Sequence, residues 1–368
     1  MEKVRAFLVR KNITFSAKRY FIDAMSAMAQ GLFCTLLVGT ILDTIGKQFG
    51  IGFLTNAFLT IKQGDVVLSY TIGGLCSLMV GPAMAVAIGN ALQAPPLVLF
   101  SLITVGFATN VLGGAGGPLA VFFVAILAAE VGKAVSKETK IDILVTPVVT
   151  ILAGIGFAAL VARPIGTAAT SVGDAIKWAT ELQPFFMGIL VSVIIGVALT
   201  LPISSAAICA ALGLTGLAGG AAVAGCCAQM VGFAIMSFRE NRWGGLAAQG
   251  LGTSMLQMGN IVRNPRIWIP PTLAAAITGP VATCLFRLEM NGAPVSSGMG
   301  TCGLVGQIGV YTGWVSDVAA GTKAAITGMD WLGLVLISFV LPAVLTWLIA
   351  IPLRKWGWIK DGDLKLDL

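Results

Sequence analysis

The composition of this chain excludes a soluble globular protein. Of its 368 residues, 57% are hydrophobic and only 11% are charged, and the mean hydropathy is +0.93, so a soluble core could not bury the apolar side chains. The net charge of +7 lies mainly in segments that flank apolar runs, which is typical of cytoplasmic loops and does not indicate nucleic-acid binding. We therefore predict an all-α polytopic membrane protein in contact with the lipid bilayer.

Basic residues precede the first long apolar run, and the positive-inside rule therefore places the N-terminus in the cytoplasm. The segment lacks the short basic region and the cleavage site of a signal peptide, so we expect a retained interfacial helix. The first span, Ala24–Ile45, then leads outward. The basic residues are Lys3, Arg5, Arg10, Lys11, Lys18 and Arg19.

Further spans are predicted in the first half of the chain, after a connecting stretch that includes Lys62 and Asp65. The glycine-rich residues Ala108–Ala120 separate two of these spans. They lack the lysine and the preceding strand of a phosphate-binding loop and therefore predict a tight turn. The spans are Val67–Leu92, Pro96–Leu112, Gly117–Val131 and Ile141–Val161.

The charges between these spans agree with alternating crossings. The loop with Lys133, Lys137 and Lys140 falls on the cytoplasmic side. Glu130 is spaced to form a structural ion pair with Lys133 on one helix. The next segment, Arg163–Pro184, has nearly balanced charges and predicts an outer loop or a surface helix.

The second half begins with the inward span Phe185–Leu201. Residues Ala206–Phe238 are then predicted to form a helical hairpin that enters and leaves on the cytoplasmic side. The span Ile269–Phe286 leads outward, and the last span, Trp331–Leu353, returns the C-terminus to the cytoplasm. A basic amphipathic cytoplasmic segment follows the hairpin, and its arginines are Arg239, Arg242, Arg263 and Arg266.

A Pro-Xaa-Ser-Ser motif occurs twice, each time after an apolar span. Proline ends a helix and serine hydroxyls can bond the freed backbone groups, so that a glycine-rich segment can fold back within the membrane. Charge counting places the two copies on opposite sides, which is the arrangement of an inverted repeat around a substrate site. We predict two re-entrant helical hairpins in inverted orientation; the alternative is a chance match between two apolar loops. The copies are Pro202, Ser204 and Ser205, and Pro294, Ser296 and Ser297.

The cysteines and the absence of histidine limit the chemistry of the chain. All seven cysteines lie in apolar stretches, which predicts buried thiols and no disulfide framework. Cys226 and Cys227 point in different directions on a helix, and no histidine is present to complete a metal site. We predict no metal, no cofactor and no catalytic residue, because the chain can host neither a phosphohistidine nor a histidine base.

Residues Gly225–Pro280, which begin GCCAQMVGFAIMSFRENRWGG, and the later SSGMGTCGLVGQIG resemble the EIIC membrane subunits of the bacterial phosphotransferase system. The match is closest to a divergent branch described as sugar permeases or regulators, and it covers nearly the whole chain. It implies a homodimer in the bacterial inner membrane, and the charge distribution described above places both termini in the cytoplasm. It also implies a scaffold and dimerisation domain (1–184), a transport domain with the hairpins (185–353) and a cytoplasmic tail (354–368).

The resemblance has further implications for the spans and the site. The family has ten spans, whereas eight are counted above, and the segments expected to supply the difference are Phe53–Ile61 and Val310–Ile326. Its sugar-transporting members use a histidine and a glutamate in the substrate site. This chain has no histidine, and Glu289 is the nearest counterpart of the glutamate. A separate cytosolic subunit is expected to phosphorylate the solute.

We predict a transporter that translocates a small polar solute, a sugar or sugar derivative, between the hairpins. Such a solute must exchange its hydrogen bonds with water for bonds to hydroxyl, amide and carboxylate groups. Any one neutral residue of this kind can instead bond a neighbouring helix. The candidate substrate-binding residues are Ser204, Ser205, Gln229, Glu289, Asn291, Ser296, Ser297, Thr301 and Gln307.

Two other functions fit the same residues. In an ion-coupled secondary transporter, Glu289 or Asp317 would carry the coupling ion, since an acid within the membrane is a functional candidate. In a membrane sensor, the solute signal would pass through the basic segment without transport. If a cytosolic phosphotransferase subunit docks, the expected docking residues are Arg239, Arg242, Arg263 and Arg266.

Overall fold

The computed structural model describes residues 2–63 and 66–366. The chain divides into two units, Met1–Ala168 and Ala169–Leu368. The division falls inside one long helix, Asp142–Thr180. Asp65, in the predicted connecting stretch, lies outside the described residues.

The first unit consists of packed helices and one small β-hairpin. Two π-helical turns, Arg19–Asp23 and Phe33–Leu37, join α2 to the residues before it and to α3, which makes one continuous helical stretch. The elements are α1 (Glu2–Arg10), α2 (Ala24–Leu32), α3 (Val38–Phe49), α4 (Gly52–Thr55), β1 (Leu59–Gln63), β2 (Val66–Tyr70), α5 (Ile72–Leu78), α6 (Val80–Ala91), α7 (Pro96–Gly113), α8 (Gly117–Val135) and the start of α9 (Asp142–Thr180).

The β-hairpin occupies residues at which the sequence predicts parts of two membrane spans. Phe53–Ile61 holds the short α4 and the start of β1 and is not a span. β1 and β2 pair antiparallel, Thr60 opposite Ser69, because alternating polar and β-branched residues suit a two-stranded ladder. The span predicted to begin at Val67 therefore begins at Ile72, where the Thr71 side chain accepts a hydrogen bond from the Gly74 amide over 3.0 Å and caps α5.

The glycine-rich turn and the ion pair of the first unit are confirmed. α7 ends at Gly113 and α8 begins at Gly117, with Gly114 at a φ of 51° that a glycine adopts without steric cost. The two helices then pack against each other. Lys133 forms an ion pair of 2.8 Å with Glu130.

The helix that holds the last predicted span of the first half does not end at Val161. α9 continues to Thr180 through the segment expected to be an outer loop or surface helix. Pro147 and Pro164 lie inside it, and proline is tolerated in membrane helices where neighbouring groups satisfy the freed carbonyls. Alanine and threonine are the commonest residues between Val161 and Thr180. The nearly balanced charges of this segment do not by themselves end a helix.

The second unit is organised around one buried helix, α12, which packs against α10, α15 and α18. Small residues allow this approach: a Cβ atom on Gly196 of α10 would lie 2.7 Å from the carbonyl oxygen of Gly225 in α12. The helices are α10 (Pro184–Thr200), α11 (Ser205–Ala211), α12 (Gly216–Met236), α13 (Phe238–Ala247), α14 (Met258–Arg263), α15 (Ile269–Pro280), α16 (Val305–Ala319), α17 (Gly328–Val335) and α18 (Leu341–Lys355).

The helices confirm an all-α polytopic membrane protein. Among the described residues, six helical stretches are long and apolar enough to cross a bilayer, or seven when α5 and α6, bent by 50°, count as one span. The predicted Val310–Ile326 segment holds only the end of the 15-residue α16. The six stretches are Arg19–Lys47, Pro96–Val135, Asp142–Thr180, Gly216–Met236, Pro265–Leu285 and Gly328–Lys355.

Candidate solute-binding site

The two Pro-Xaa-Ser-Ser segments lie in direct contact within the second unit. Ser204 caps α11, and its hydroxyl accepts a hydrogen bond from the Ala207 amide over 3.2 Å. The hydroxyl of Ser205 donates to the Gly298 carbonyl over 2.8 Å. The hydroxyl of Ser297 donates to the Leu214 carbonyl over 2.7 Å. The structure therefore brings together residues that are far apart in the sequence.

Both Pro-Xaa-Ser-Ser segments form only short helices. The first arm is the seven-residue α11, and the second copy folds as a 3-10 helix, Pro294–Gly298. Another 3-10 turn, Cys302–Leu304, leads from it into α16. Ser205 and Ser297 are fully or nearly fully buried, and both donate to backbone carbonyls. Their hydroxyl hydrogens are therefore not available to bind a solute.

Gln229 belongs to a separate buried polar network. Its side-chain oxygen accepts hydrogen bonds from the Trp268 indole over 3.0 Å and from the Thr200 hydroxyl over 3.4 Å. Its amide nitrogen donates to the Thr272 hydroxyl over 3.2 Å. The Thr200 and Ser254 hydroxyls are 2.8 Å apart. This arrangement ties α10, α12 and α15 together, as expected for polar residues between membrane helices.

Thr301 and Gln307 also face protein groups. The Thr301 hydroxyl donates to the Gly250 carbonyl over 2.5 Å. The Gln307 amide nitrogen donates to the Cys227 sulfur over 3.3 Å, and its buried side-chain oxygen has no hydrogen-bond partner among the described residues. These two residues and Gln229 do not line the cavity described next.

Glu289 and Asn291 line a polar cavity of about 440 Å³ in the second unit. The volume falls in the range of small-molecule sites. The lining combines three carboxylates, two cations, one amide and two aromatic rings. The residues are Phe286, Arg287, Glu289, Asn291, Trp314, Asp317, Thr322, Lys323 and Asp330.

Asn291 is the most constrained polar group of this cavity. Its side-chain oxygen accepts a hydrogen bond from the Gly216 amide over 3.1 Å, at the start of α12. This bond fixes the amide so that its nitrogen donates to Asp317 over 2.8 Å and to Glu289 over 3.2 Å. The backbones of Gly216 and Met290 also exchange two hydrogen bonds. The cavity is therefore anchored to the turn between α11 and α12.

Two other lining residues of the cavity form an ion pair. Lys323 contacts Asp330 over 2.8 Å, and its ammonium lies 5.9 Å from the centre of the Trp314 ring. Asp330 also forms a capping box with Thr327 at the start of α17, which holds the carboxylate in place. Carboxylates accept hydrogen bonds from hydroxyl groups, and the cations and amide can donate, so the lining suits a solute rich in hydroxyl groups.

The sequence indicated only part of this lining. Glu289 and Asn291 are among the predicted substrate-binding residues, and Asp317 is one of the two acids that the sequence offers for ion coupling. Lys323 and Asp330 were missed because neither belongs to a repeated motif. Their only signal was a charge next to an apolar span, which interfacial residues share.

The four arginines of the basic segment are all exposed. Among the described residues, none of them forms an ion pair. Arg266 lies over the ring of Trp358, 5.2 Å from its centre. The remaining three are Arg239, Arg242 and Arg263.

Residues of the C-terminal tail fold back on this basic segment. The Asn241 side chain donates to the Leu364 carbonyl and accepts from the Leu366 amide, each over 2.8 Å. Gln257 donates to the same Leu364 carbonyl over 3.0 Å. Burial raises the pKa of Glu240, although hydrogen bonds from backbone amides of the tail and the charge of Arg354 act in the opposite direction.

No group of three or more histidine, cysteine, aspartate or glutamate side chains within residues 2–63 and 66–366 is placed to hold a metal ion. Residues 22–366 match the family model described as "Phosphotransferase system, EIIC". No curated protein matches the sequence. No solved structure matches it either.

Proposed function

The chain belongs to the phosphotransferase system EIIC family, the membrane component of a sugar-transport system, and on this basis we propose that it binds a sugar or sugar derivative in the cavity around Asn291. The observation that carries the proposal is the fixed Asn291 amide between Glu289 and Asp317. Two carboxylates held about one amide present several acceptors to a polyhydroxylated solute. The Ser204 and Ser296 hydroxyls are additional candidate contacts during transport.

The energetics favour carboxylates over the serines as the main contacts. A hydrogen bond to a charged group contributes roughly 1.5–3 kcal/mol, whereas a neutral one contributes roughly 0.5–1.5 kcal/mol. Solute hydroxyls would donate to the lone pairs of Glu289 and Asp317 that the Asn291 amide leaves free. The aromatic rings of Phe286 and Trp314 supply apolar surface beside them.

Phosphorylation, on this proposal, is done by a separate cytosolic subunit. This chain has no histidine to carry a phosphoryl group. The exposed arginines Arg239, Arg242, Arg263 and Arg266 form no ion pair within the described part of the chain, so on this proposal they are free to bind an acidic partner. We propose that this surface faces the cytoplasm of a bacterium, together with both termini, and that the protein is a homodimer assembled through its first half.

The experiment that tests the site is calorimetric titration of a sugar panel against the full chain and three variants. Asn291→Ala should weaken the affinity for the bound sugar about tenfold or more, because it removes the group that orients both carboxylates. Glu289→Gln and Asp317→Asn should each weaken it as well. Asp174→Asn, an exposed carboxylate outside the cavity, is the matched control. Full affinity in Asn291→Ala with a normal melting temperature would place the site elsewhere.

The same carboxylates favour a second candidate, an ion-coupled transporter. Glu289 and Asp317 are close enough to share Asn291 and could bind a proton or sodium ion. Flux into proteoliposomes separates the two. Accumulation that needs an ion gradient supports coupling, whereas appearance of sugar phosphate only with cytosolic components supports phosphotransfer.

Orientation is tested by labelling single cysteines from outside whole cells in a cysteine-free background. Cysteines at Lys3, Arg242 and Lys360 should all remain unlabelled, because the charge distribution puts these positions inside. Labelling at Arg242 alone would contradict the cytoplasmic docking surface. For the dimer, native mass spectrometry in mild detergent should show two chains, and a stable monomer would count against it.

A further inference from the structure

The first unit carries a basic cavity and an apolar groove beside each other, and neither belongs to the proposed sugar site. The basic cavity, about 360 Å³, is lined by residues that include Arg10, Gln93, Lys133 and Lys137. The apolar groove, about 540 Å³, is lined by residues that include Phe15, Phe21, Phe123 and Phe157. α1 and the last turns of α8 border both of them.

Two cations of the basic cavity are already held by protein groups. The Lys133 ammonium is buried, contacts Glu130 over 2.8 Å, and donates to the carbonyls of Asn12 and Leu92 over 3.0 Å each. Lys11 is nearly buried and contacts Glu138 over 2.5 Å and the carbonyl of Ser136. These bonds make Lys133 and Lys11 structural residues.

Other donors of the cavity remain available to an anion. Lys137 is exposed, and its ammonium forms no hydrogen bond or ion pair of 4.0 Å or less among the described residues, although its charge interacts with that of Asp142. Its backbone has a φ of 62°, and its amide donates to Asp142 over 2.6 Å, which holds the residue in place. Arg10 is 63% exposed and shares Glu138 with Lys11. Glu138 lines the cavity, and the charge of Asp142 also acts on Lys11 and Lys137. These two carboxylates face three cations, so the cavity keeps an excess of one positive charge.

The groove supplies the second half of an amphiphile site. The side chains that line it are apolar apart from the Tyr20 hydroxyl and the Glu130 carboxylate. The Tyr20 hydroxyl donates a hydrogen bond to Glu130 over 3.1 Å. Phe15 is 76% exposed and Phe123 is 41% exposed. An extended peptide would leave its backbone groups without partners on such a surface, whereas an acyl chain needs none.

From the charge of the cavity and the apolar lining of the groove, we propose that the first unit binds one anionic phospholipid. The phosphate lies in the basic cavity with Arg10 and Lys137, and one acyl chain follows the groove past Phe123. Basic pockets at the cytoplasmic ends of membrane helices are known to bind such headgroups. The net charge of the lining selects against zwitterionic lipids.

The test is native mass spectrometry of the full chain in detergent, titrated with dioleoyl phosphatidylglycerol or dioleoyl phosphatidylcholine. The anionic lipid should bind about tenfold more tightly. Lys137→Gln should weaken that binding about fivefold, the effect of one basic residue near an anionic lipid. Lys140→Gln, an exposed lysine of the same loop outside the cavity, is the matched control and should bind as the unaltered chain does.

Two further variants distinguish binding of a whole lipid from binding of a phosphate group alone. Phe123→Ser should weaken phosphatidylglycerol binding and leave glycerophosphate binding unchanged, and Phe100→Ser, an exposed phenylalanine outside the groove, should change neither. Equal binding of the two lipids, or equal effects of Lys137→Gln and Lys140→Gln, would overturn the proposal. Glycerophosphate that binds as tightly as the lipid would overturn it too, because the groove would then take no part.

Discussion

Ser205 donates its hydroxyl hydrogen to the carbonyl oxygen of Gly298 over 2.8 Å, and this bond joins the two Pro-Xaa-Ser-Ser segments. Ser297 makes the reciprocal connection to Leu214, at the end of the turn after α11. A Cβ atom on Gly298 would lie 2.6 Å from the Ser205 carbonyl oxygen, so the backbones touch. The two segments therefore form one packed structure in which each depends on the other.

Ser205→Ala and Ser297→Ala should each lower the free energy of unfolding by about 1–3 kcal/mol, because each leaves a buried carbonyl without its partner. The double variant should be non-additive by at least ~0.5 kcal/mol, since the residues hold one pair of segments. Thermal unfolding in detergent measures both effects. Ser316→Ala, an exposed serine on α16, is the control. Lower sugar affinity at an unchanged melting temperature would show that these hydroxyls bind solute instead.

Gln229→Leu should destabilise the protein by about 1–3 kcal/mol and leave sugar affinity unchanged, because the Trp268 indole N–H loses its acceptor in a buried site. Adding Trp268→Phe should recover part of the loss, since it removes the unpaired donor. Unfolding and titration measurements on the same samples check both statements. A loss of sugar affinity at normal stability would show that Gln229 binds the solute.

Asn241→Ala should loosen the C-terminal tail, because this side chain both donates to and accepts from the tail backbone. We expect a loss of about 1–3 kcal/mol in unfolding free energy and faster protease removal of a C-terminal tag. Arg242→Ala alters the exposed neighbouring residue, which makes no bond to the tail among the described residues, and should leave cleavage unchanged. Equal cleavage in all three proteins would contradict a docked tail.

Glu138 should make the docking of α1 dependent on pH. The hydrogen bond from Lys11, with the charges of Arg10 and Lys11, holds the pKa of Glu138 below its usual range. A lowered carboxyl pKa means that the stabilisation is present above the ordinary value and is lost as the pH falls through the lowered one. The protection factor of the α1 amides, which corrects for the pH dependence of the intrinsic exchange rate, should therefore be constant near neutral pH and fall only below the ordinary carboxyl range.

Glu138→Gln provides the comparison for that measurement. It removes the titrating charge and should show the lower protection factor already at neutral pH, with little further change on acidification. An acid-dependent loss of the same size in Glu138→Gln would assign the effect to another group.

The amino-acid sequence by itself determined the class of the protein and most of its helices. Apolar runs of about 20 residues are long enough to cross a bilayer. They do so as helices, because a helix satisfies its backbone groups internally in hydrocarbon. The same local rules predicted the glycine turn at Gly114 and the pair Glu130 and Lys133, since both depend on neighbours within one or two helical turns. The repeated motif also marked two segments that do meet.

Only the tertiary structure decided what the polar residues do. Ser205, Gln229 and Thr301 have the same hydrogen-bonding groups as a solute-binding residue, and a one-dimensional pattern cannot show whether a carbonyl or a solute takes the bond. The continuation of α9 to Thr180 depended likewise on its surroundings. Lys323 and Asp330 joined Glu289 in one cavity because the chain turns back between α16 and α17, and charges far apart in sequence become neighbours only when the helices pack.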